Sequence, residues 1–180
     1  RNGNVLGAQY DLMFGVGGGR EWDLTFVGTG PNLDRALLSY RLSAGHAHSV
    51  QFGAVLQGGY DATAHGGLLG GFGVADYTSE KTKTQLTANV GVLGDTAKNA
   101  YSRTQLYAAG NIGQAVGPVT LYATTARYVN IGAKPSTSYG GGVGYQTGPF
   151  IFDLSLIRSG GQNYVVGGMA VSINKLLGRK

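Results

Sequence analysis

The sequence predicts an all-β fold, an antiparallel up-and-down transmembrane β-barrel of about 10–12 strands. Three observations carry that expectation. Nearly all of the 180 residues fall into runs where apolar and polar side chains alternate, with hardly a helical period. The runs are about ten residues long, whereas globular strands average about five or six and a tilted bilayer-crossing strand needs about 9 to 11. Only 13% of residues are charged, against about 25% in an ordinary soluble domain.

The elements run in order along the chain. In "VLGAQYDLMFGV", Leu6, Ala8, Tyr10, Leu12, Phe14 and Val16 share one parity, opposite Gly7, Gln9, Asp11 and Gly15. In "EWDLTFVG", Trp22, Leu24 and Phe26 oppose Glu21, Asp23 and Thr25. In "RALLSYRLS", Ala36, Leu38, Tyr40 and Leu42 oppose Arg35, Ser39 and Arg41. In "VQFGAVLQG", Val50, Phe52, Ala54 and Leu56 oppose Gln51, Gly53 and Gln57. The glycine-rich "GGLLGGFG" (66–73) reads as a strand whose glycines mark lumen-facing positions, bends or the close approach of another segment. "QLTANVGVL" sets Leu86, Ala88, Val90 and Val92 against Gln85, Thr87, Asn89 and Gly91. "RTQLYAAGNIG" sets Leu106, Ala108 and Ile112 against Arg103, Gln105 and Asn111. In "PVTLYATTARYVNIG", Arg127 falls on the parity of Val119 and Leu121, so a bulge is expected to switch faces there. "SYGGGVGYQTG" sets Tyr139, Val143 and Tyr145 against glycines and Gln146. "FIFDLSLI" sets Phe150, Phe152, Leu154 and Leu156 against Asp153 and Ser155. Near the end, Val165, Met169, Val171 and Ile173 share a face.

These are about eleven runs, counted by their period of two. The connections between them are short, which fits antiparallel neighbours and excludes parallel crossovers. An open meander would leave 5–16 and 163–174 as long edges with almost no charge and no Pro, an aggregation hazard. Pairing those edges with each other removes it, so closure is expected. An odd count is unusual for single-chain bacterial barrels, which implies either a different true count or a strand outside this chain.

Composition indicates the surroundings of each face. A soluble sandwich would carry Lys and Glu on its water face. Here the polar parity holds Gly, Gln, Thr, Ser and Asn, with isolated charges. The lumen of a narrow barrel accounts for that, with Asp11, Glu21, Asp23 and Asp153 pairing across it with Arg35, Arg41 and Arg103. The other parity would face lipid, where a charge costs about 2 to 4 kcal/mol near mid-bilayer. Tyr10, Trp22, Tyr40, Tyr60, Tyr77, Tyr101, Tyr128, Tyr139, Tyr145 and Tyr164 lie near strand ends and are expected in interfacial aromatic girdles.

Other classes are excluded or set aside. The net charge of +5 is scattered apart from "KTK" (81–83) and "NKLLGRK" (174–180), so no nucleic-acid footprint forms. Cys is absent, which rules out a disulfide framework or Cys metal site. No window is long and apolar enough for a transmembrane helix. "GVGGGR" (15–20) lacks the Lys and Ser or Thr of a phosphate loop and reads as a turn. No catalytic residue, metal or cofactor is expected. The chain starts at Arg1 with no signal peptide. It reads as one domain over residues 1–180, either a mature barrel or the barrel end of a longer chain.

Taken together, these runs resemble bacterial outer-membrane β-barrels over nearly the whole length. The terminal "VGGMAVSI" (166–173), with Gly168, Val171 and Ile173, is similar to the last-strand signal read by the barrel assembly machinery. It departs in having Val171 and Ile173 where aromatics are usual, and "NKLLGRK" comes after it where such chains usually stop. The resemblance implies an outer-membrane location, contact with outer-membrane lipid and assembly machinery, and service as a channel or as the membrane anchor of an export complex. Two alternatives stand beside it. "HAHS" (46–49) could make His46, His48 and Ser49 the centre of a lipid-modifying hydrolase, or it could be a polar hairpin turn. A soluble, secreted β-sandwich binder is the other.

Overall fold

The computed structural model describes residues 5–29, 32–47, 49–96, 104–131 and 134–178. They form β1 (Val5–Gly17), β2 (Arg20–Thr29), β3 (Asn32–Ala47), β4 (Val50–Asp61), β5 (Gly66–Ser79), β6 (Thr84–Asp95), β7 (Thr104–Val116), β8 (Val119–Asn130), β9 (Ser136–Thr147), β10 (Phe150–Ser159), β11 (Gln162–Ser172) and the short α1 (Ile173–Leu176). Each strand pairs with its sequence neighbours, and β1 pairs with β11 to close the barrel.

Every neighbouring pair is antiparallel except the closing one, where Val5 opposes Tyr164 and Met13 opposes Ser172 in a parallel ladder. An odd number of up-and-down strands can close only this way, because the first and last strands run in the same direction. The start of β1 and the end of β11 therefore lie at opposite ends of the barrel. One end, here the turn end, carries 18–19, 48–49, 80–83, 117–118, 148–149 and α1. At the other, the loop end, β6 gives way to β7 and β8 to β9, the pairs of strands separated by the most residues in the sequence. The tight hairpins use glycine where the backbone demands it. Gly160 and Gly161 both have positive φ, 57° and 84°, as a two-residue turn matched to strand twist requires.

The usual inside-out distribution of apolar residues is reversed. Among the described residues only Leu68, Val74 and Val171 are buried hydrophobics. Large apolar side chains instead stand exposed on the outer parity all around the barrel: Leu6 67%, Leu56 65%, Val90 66%, Leu106 52% and Leu154 54%. "FIFDLSLI" conforms, with Phe152, Leu154 and Leu156 outside and Ser155 buried inside. A monomer in water rarely exposes apolar patches beyond a few hundred Å².

Glycines let the interior be narrow. A Cβ on Gly91 would collide with the Gly71 carbonyl oxygen and stand 2.7 Å from the Phe72 Cα. No side chain larger than hydrogen fits there. At the turn end the Asn174 amide donates to the Gly15 carbonyl at 2.7 Å. The tail "NKLLGRK" thus begins by folding against the barrel mouth.

Two sequence-based expectations are corrected. No bulge occurs in β8, whose registers with β7 and β9 run unshifted. Arg127 therefore stays on the outer parity, three residues from the strand end. Arg158, opposite Tyr139 and Asn163, is placed likewise on β10. The aromatic girdle loses two members: Tyr128 and Tyr164 line the interior. Trp22 and Tyr40 do stand together on the outer face, ring centroids 4.6 Å apart, near Phe14 in register. Tyr101 lies outside the described residues.

Candidate functional site

The inner parity builds the site. Alternation and register bring Asp11, Glu21, Asp23, Arg35, Arg41 and Asp153 to the lumen side of β1, β2, β3 and β10. Arg103 lies outside the described residues. The pairing differs from the sequence expectation. Arg35 Nε bonds Asp61 Oδ2 at 2.9 Å, its direct cross-strand neighbour. Arg41 sits opposite Glu21 in register, yet its guanidinium pairs with Asp76 of β5. β4 permits this because its inward residue between them is Gly53. Thr87 also donates to Asp76 at 2.8 Å. Asp61 anchors the next turn by accepting the Ala64 N–H at 2.8 Å.

The acids on β1, β2 and β10 do not take these arginines. Asp11 accepts from Gln9 Nε2 at 2.9 Å, and Thr25 makes a long 3.5 Å contact to Asp23. The remaining oxygen of each, Asp11 Oδ1 and Asp23 Oδ1, is buried without a partner. Asp153 accepts the Tyr122 hydroxyl at 2.8 Å, although β8 and β10 are not neighbours. The Tyr122 ring crosses over Gly142 of β9, its hydroxyl 2.7 Å from where a Cβ would stand. That Cβ would also lie 2.5 Å from the Leu154 carbonyl oxygen. Gly142→Ala is expected to shift the melting or urea midpoint of the folded barrel strongly downward, because backbone blocks relief. Tyr122→Phe should cost only about 1–3 kcal/mol, through the lost donor. Urea titration of the two variants side by side checks the difference in size.

The lumen is split along its axis. Toward the turn end the charged inward residues are Asp11, Glu21, Asp23, Asp76 and Asp153 with Arg41. Carboxylates therefore dominate that half. Toward the loop end lies a cavity of about 740 Å³. Leu37, Val55, Leu68, Val74 and Leu93 line it together with Arg35, Asp95, Gln57, Asn89 and Gln105, so its wall mixes apolar, polar and charged side chains. Phe72, Tyr107 and Tyr128 follow one another along its wall, Phe72 and Tyr107 edge to face with centroids 5.4 Å apart and Tyr107 and Tyr128 tilted at 5.0 Å.

Sequence reading missed Asp61, Asp76, Tyr122 and this aromatic row. For Asp76 a signal existed: it opposes Ala75 and Tyr77 in "GVADYTSE". The glycines upstream of it hid the alternation. Of the hydrolase triplet, Ser49 is exposed in the β3–β4 turn. His46 opposes Gln51 in the backbone register, and His48 lies outside the described residues. Among the described residues no group of three or more His, Asp or Glu is placed to hold a metal ion. No protein-family model matches the chain, and no curated protein matches it.

Proposed function

We propose that the chain is an outer-membrane β-barrel whose lumen is a narrow channel preferring cations. The observation that carries the reading is the closed belt of exposed Leu, Val, Phe and Tyr around an interior of charges, hydroxyls and glycines. Lipid is the solvent that makes such a surface favourable. The strands, ten to sixteen residues long, are sufficient to cross a bilayer when tilted. The short connections of the turn end fit the periplasmic side, since outer-membrane barrels keep short turns there and longer loops outside. Assembly machinery would then insert the barrel.

The charges support channel function. A ring rich in Asp and Glu concentrates cations and repels anions, and the turn-end half has one arginine against five carboxylates. The Phe72, Tyr107 and Tyr128 rings in the lumen would restrict passage to small solutes.

The test has two steps. Material from the membrane fraction is run on a detergent gel with and without boiling; a folded barrel is expected to change mobility. The purified protein in planar bilayers is expected to conduct, with a reversal potential under a KCl gradient displaced toward the potassium Nernst potential. A protein that stays in solution without detergent and shows no gel shift sinks the membrane reading. A shifted protein with no conductance sinks the channel and leaves an anchor.

A further inference from the structure

A groove of about 540 Å³ crosses the outer face of β5, β6 and β7 toward the turn end. Its floor is a row of small residues at one height: Ala75, Ala88 and Gly110 are paired in register. Tyr77, Leu86 and Ile112, the next outward row toward the turn end, stand beside it. Ala123 and Thr125 of β8 close its far edge.

The same strands change chemistry with height. Two residues beyond Leu86 and Ile112 come Thr84 and Gln114, also outward and paired in register. The Thr84 hydroxyl donates to Gln114 Oε1 at 2.8 Å. Next comes the turn 80–83, with exposed Lys81 and Lys83 against Glu80. Lys83 pairs with Glu80 at 3.5 Å, which leaves the turn one net positive charge. The small-residue row lies about 13 Å of strand below Thr84. From mid-belt outward the order is therefore apolar groove, neutral polar side chains, basic turn. A phospholipid with a negative headgroup has the same order: acyl chain, ester region, phosphate.

The turn is braced over the groove. Gln114 Nε2 donates to the Thr82 carbonyl, the Ala115 N–H to the Lys83 carbonyl at 3.1 Å, and the Thr82 N–H to Ser79 Oγ at 3.2 Å. Lys83 has a φ of 57°, a left-handed conformation that glycine adopts at less cost. Gly117, Gly148 and Gly160 supply that conformation at other turns. A lysine at such a position sets a charge where the backbone asks for glycine.

We propose that the groove and this turn form a binding site for an anionic phospholipid of the turn-end leaflet: one acyl chain over Ala75, Ala88 and Gly110, and the phosphate at Lys81 and Lys83. The proposal rests on the membrane-barrel reading and goes beyond it, because it names the headgroup charge of a lipid held at one place on the belt. The groove accepts any apolar chain. Charge complementarity at the turn selects the headgroup.

The experiment uses the full chain folded in a neutral detergent and three probes: dimyristoyl phosphatidylglycerol, dimyristoyl phosphatidylcholine and glycerol 3-phosphate. Native mass spectrometry counts what each barrel retains. One phosphatidylglycerol is expected to bind about fivefold tighter than phosphatidylcholine, the factor that one net basic residue near an anionic lipid provides. Glycerol 3-phosphate lacks the chain and should not be retained. Lys81→Gln combined with Lys83→Gly removes the lysines and keeps the turn's left-handed backbone. It should bring phosphatidylglycerol down to the affinity of phosphatidylcholine. Ala88→Phe fills the groove and should weaken both lipids with the lysines intact; Ala88→Leu is the smaller filler should Phe impair folding. In every variant the gel shift on boiling reports the folded barrel. Equal affinity for the two lipids in the unaltered protein overturns the headgroup assignment. A preference that survives loss of both lysines overturns the location. Retention of glycerol 3-phosphate, or lipid binding indifferent to the filled groove, overturns the seat of the acyl chain. Each of these with the gel shift present leaves the barrel reading standing, and absence of the shift in the unaltered protein sinks that reading and the site with it.

Discussion

Leu154→Arg is expected to destabilise the lipid-embedded barrel by about 2–4 kcal/mol, a roughly 30- to 900-fold loss in the folding equilibrium. Leu154 lies midway along β10 and is 54% exposed, opposite Val143 on β9 and Gly167 on β11. In a soluble domain an exposed Leu→Arg change would usually stay within about 0.5 kcal/mol. In a bilayer the guanidinium must leave water at mid-depth. The protein already shows where such a charge is tolerated: Arg127 and Arg158 sit on the same outer parity but near the loop end. Moving arginine from the strand end to its middle isolates depth as the variable. Urea titration of folding into liposomes, read by the unheated gel band, measures it. A loss within about 0.5 kcal/mol at Leu154 would mean that the belt faces water or protein.

Arg41→Met and Asp76→Asn are expected to move ion selectivity in opposite directions. Among the described residues Arg41 is the one cation beside five inward acids of the turn-end half, and Asp76 is its partner. Removing Arg41 leaves the acids uncompensated and raises cation preference. Neutralising Asp76 frees Arg41 to face Glu21, its register neighbour, and lowers it. A unit charge about 6 Å from a permeating ion in water-like dielectric is worth about 0.7 kcal/mol, or about threefold in permeability ratio. Reversal potentials under a salt gradient read this directly. The stability cost should be modest, about 1 kcal/mol, because both side chains keep solvent access, at 36% and 22%. If neither variant shifts the reversal potential, current does not pass these residues and the lumen is not the conduction path.

Much of the fold was legible because strand alternation is local. A period of two in "FIFDLSLI" or "VQFGAVLQG" needs only neighbouring side chains, so face and closure were readable; the odd count of eleven, which suggested a missing strand, is instead closed by a parallel seam. The partners of the lumen charges were not. Arg41 reaches Asp76 across β4, where the inward residue between their heights is Gly53, and Tyr122 reaches Asp153 because Gly142 leaves β9 empty. A glycine in sequence looks the same whether it marks a turn, a bend or a gap that a neighbour's side chain crosses.

Arg127 illustrates the same limit from the other direction. A charge on an apolar parity suggested a bulge, yet regular pairing with β7 and β9 continues past it. Ladder hydrogen bonds along twelve residues outweigh one outward arginine.

By itself the sequence determined an all-β chain of long alternating strands with a greasy face and a polar face, since those properties are carried by adjacent residues and short turns. Only the tertiary structure decided how an odd number of strands closes, through a parallel β1–β11 seam, and how the lumen sets an acidic half against one lined by apolar and polar side chains together. Both depend on which strands meet around the barrel and at what height. That arrangement is set by register and by glycine gaps between strands far apart in the chain.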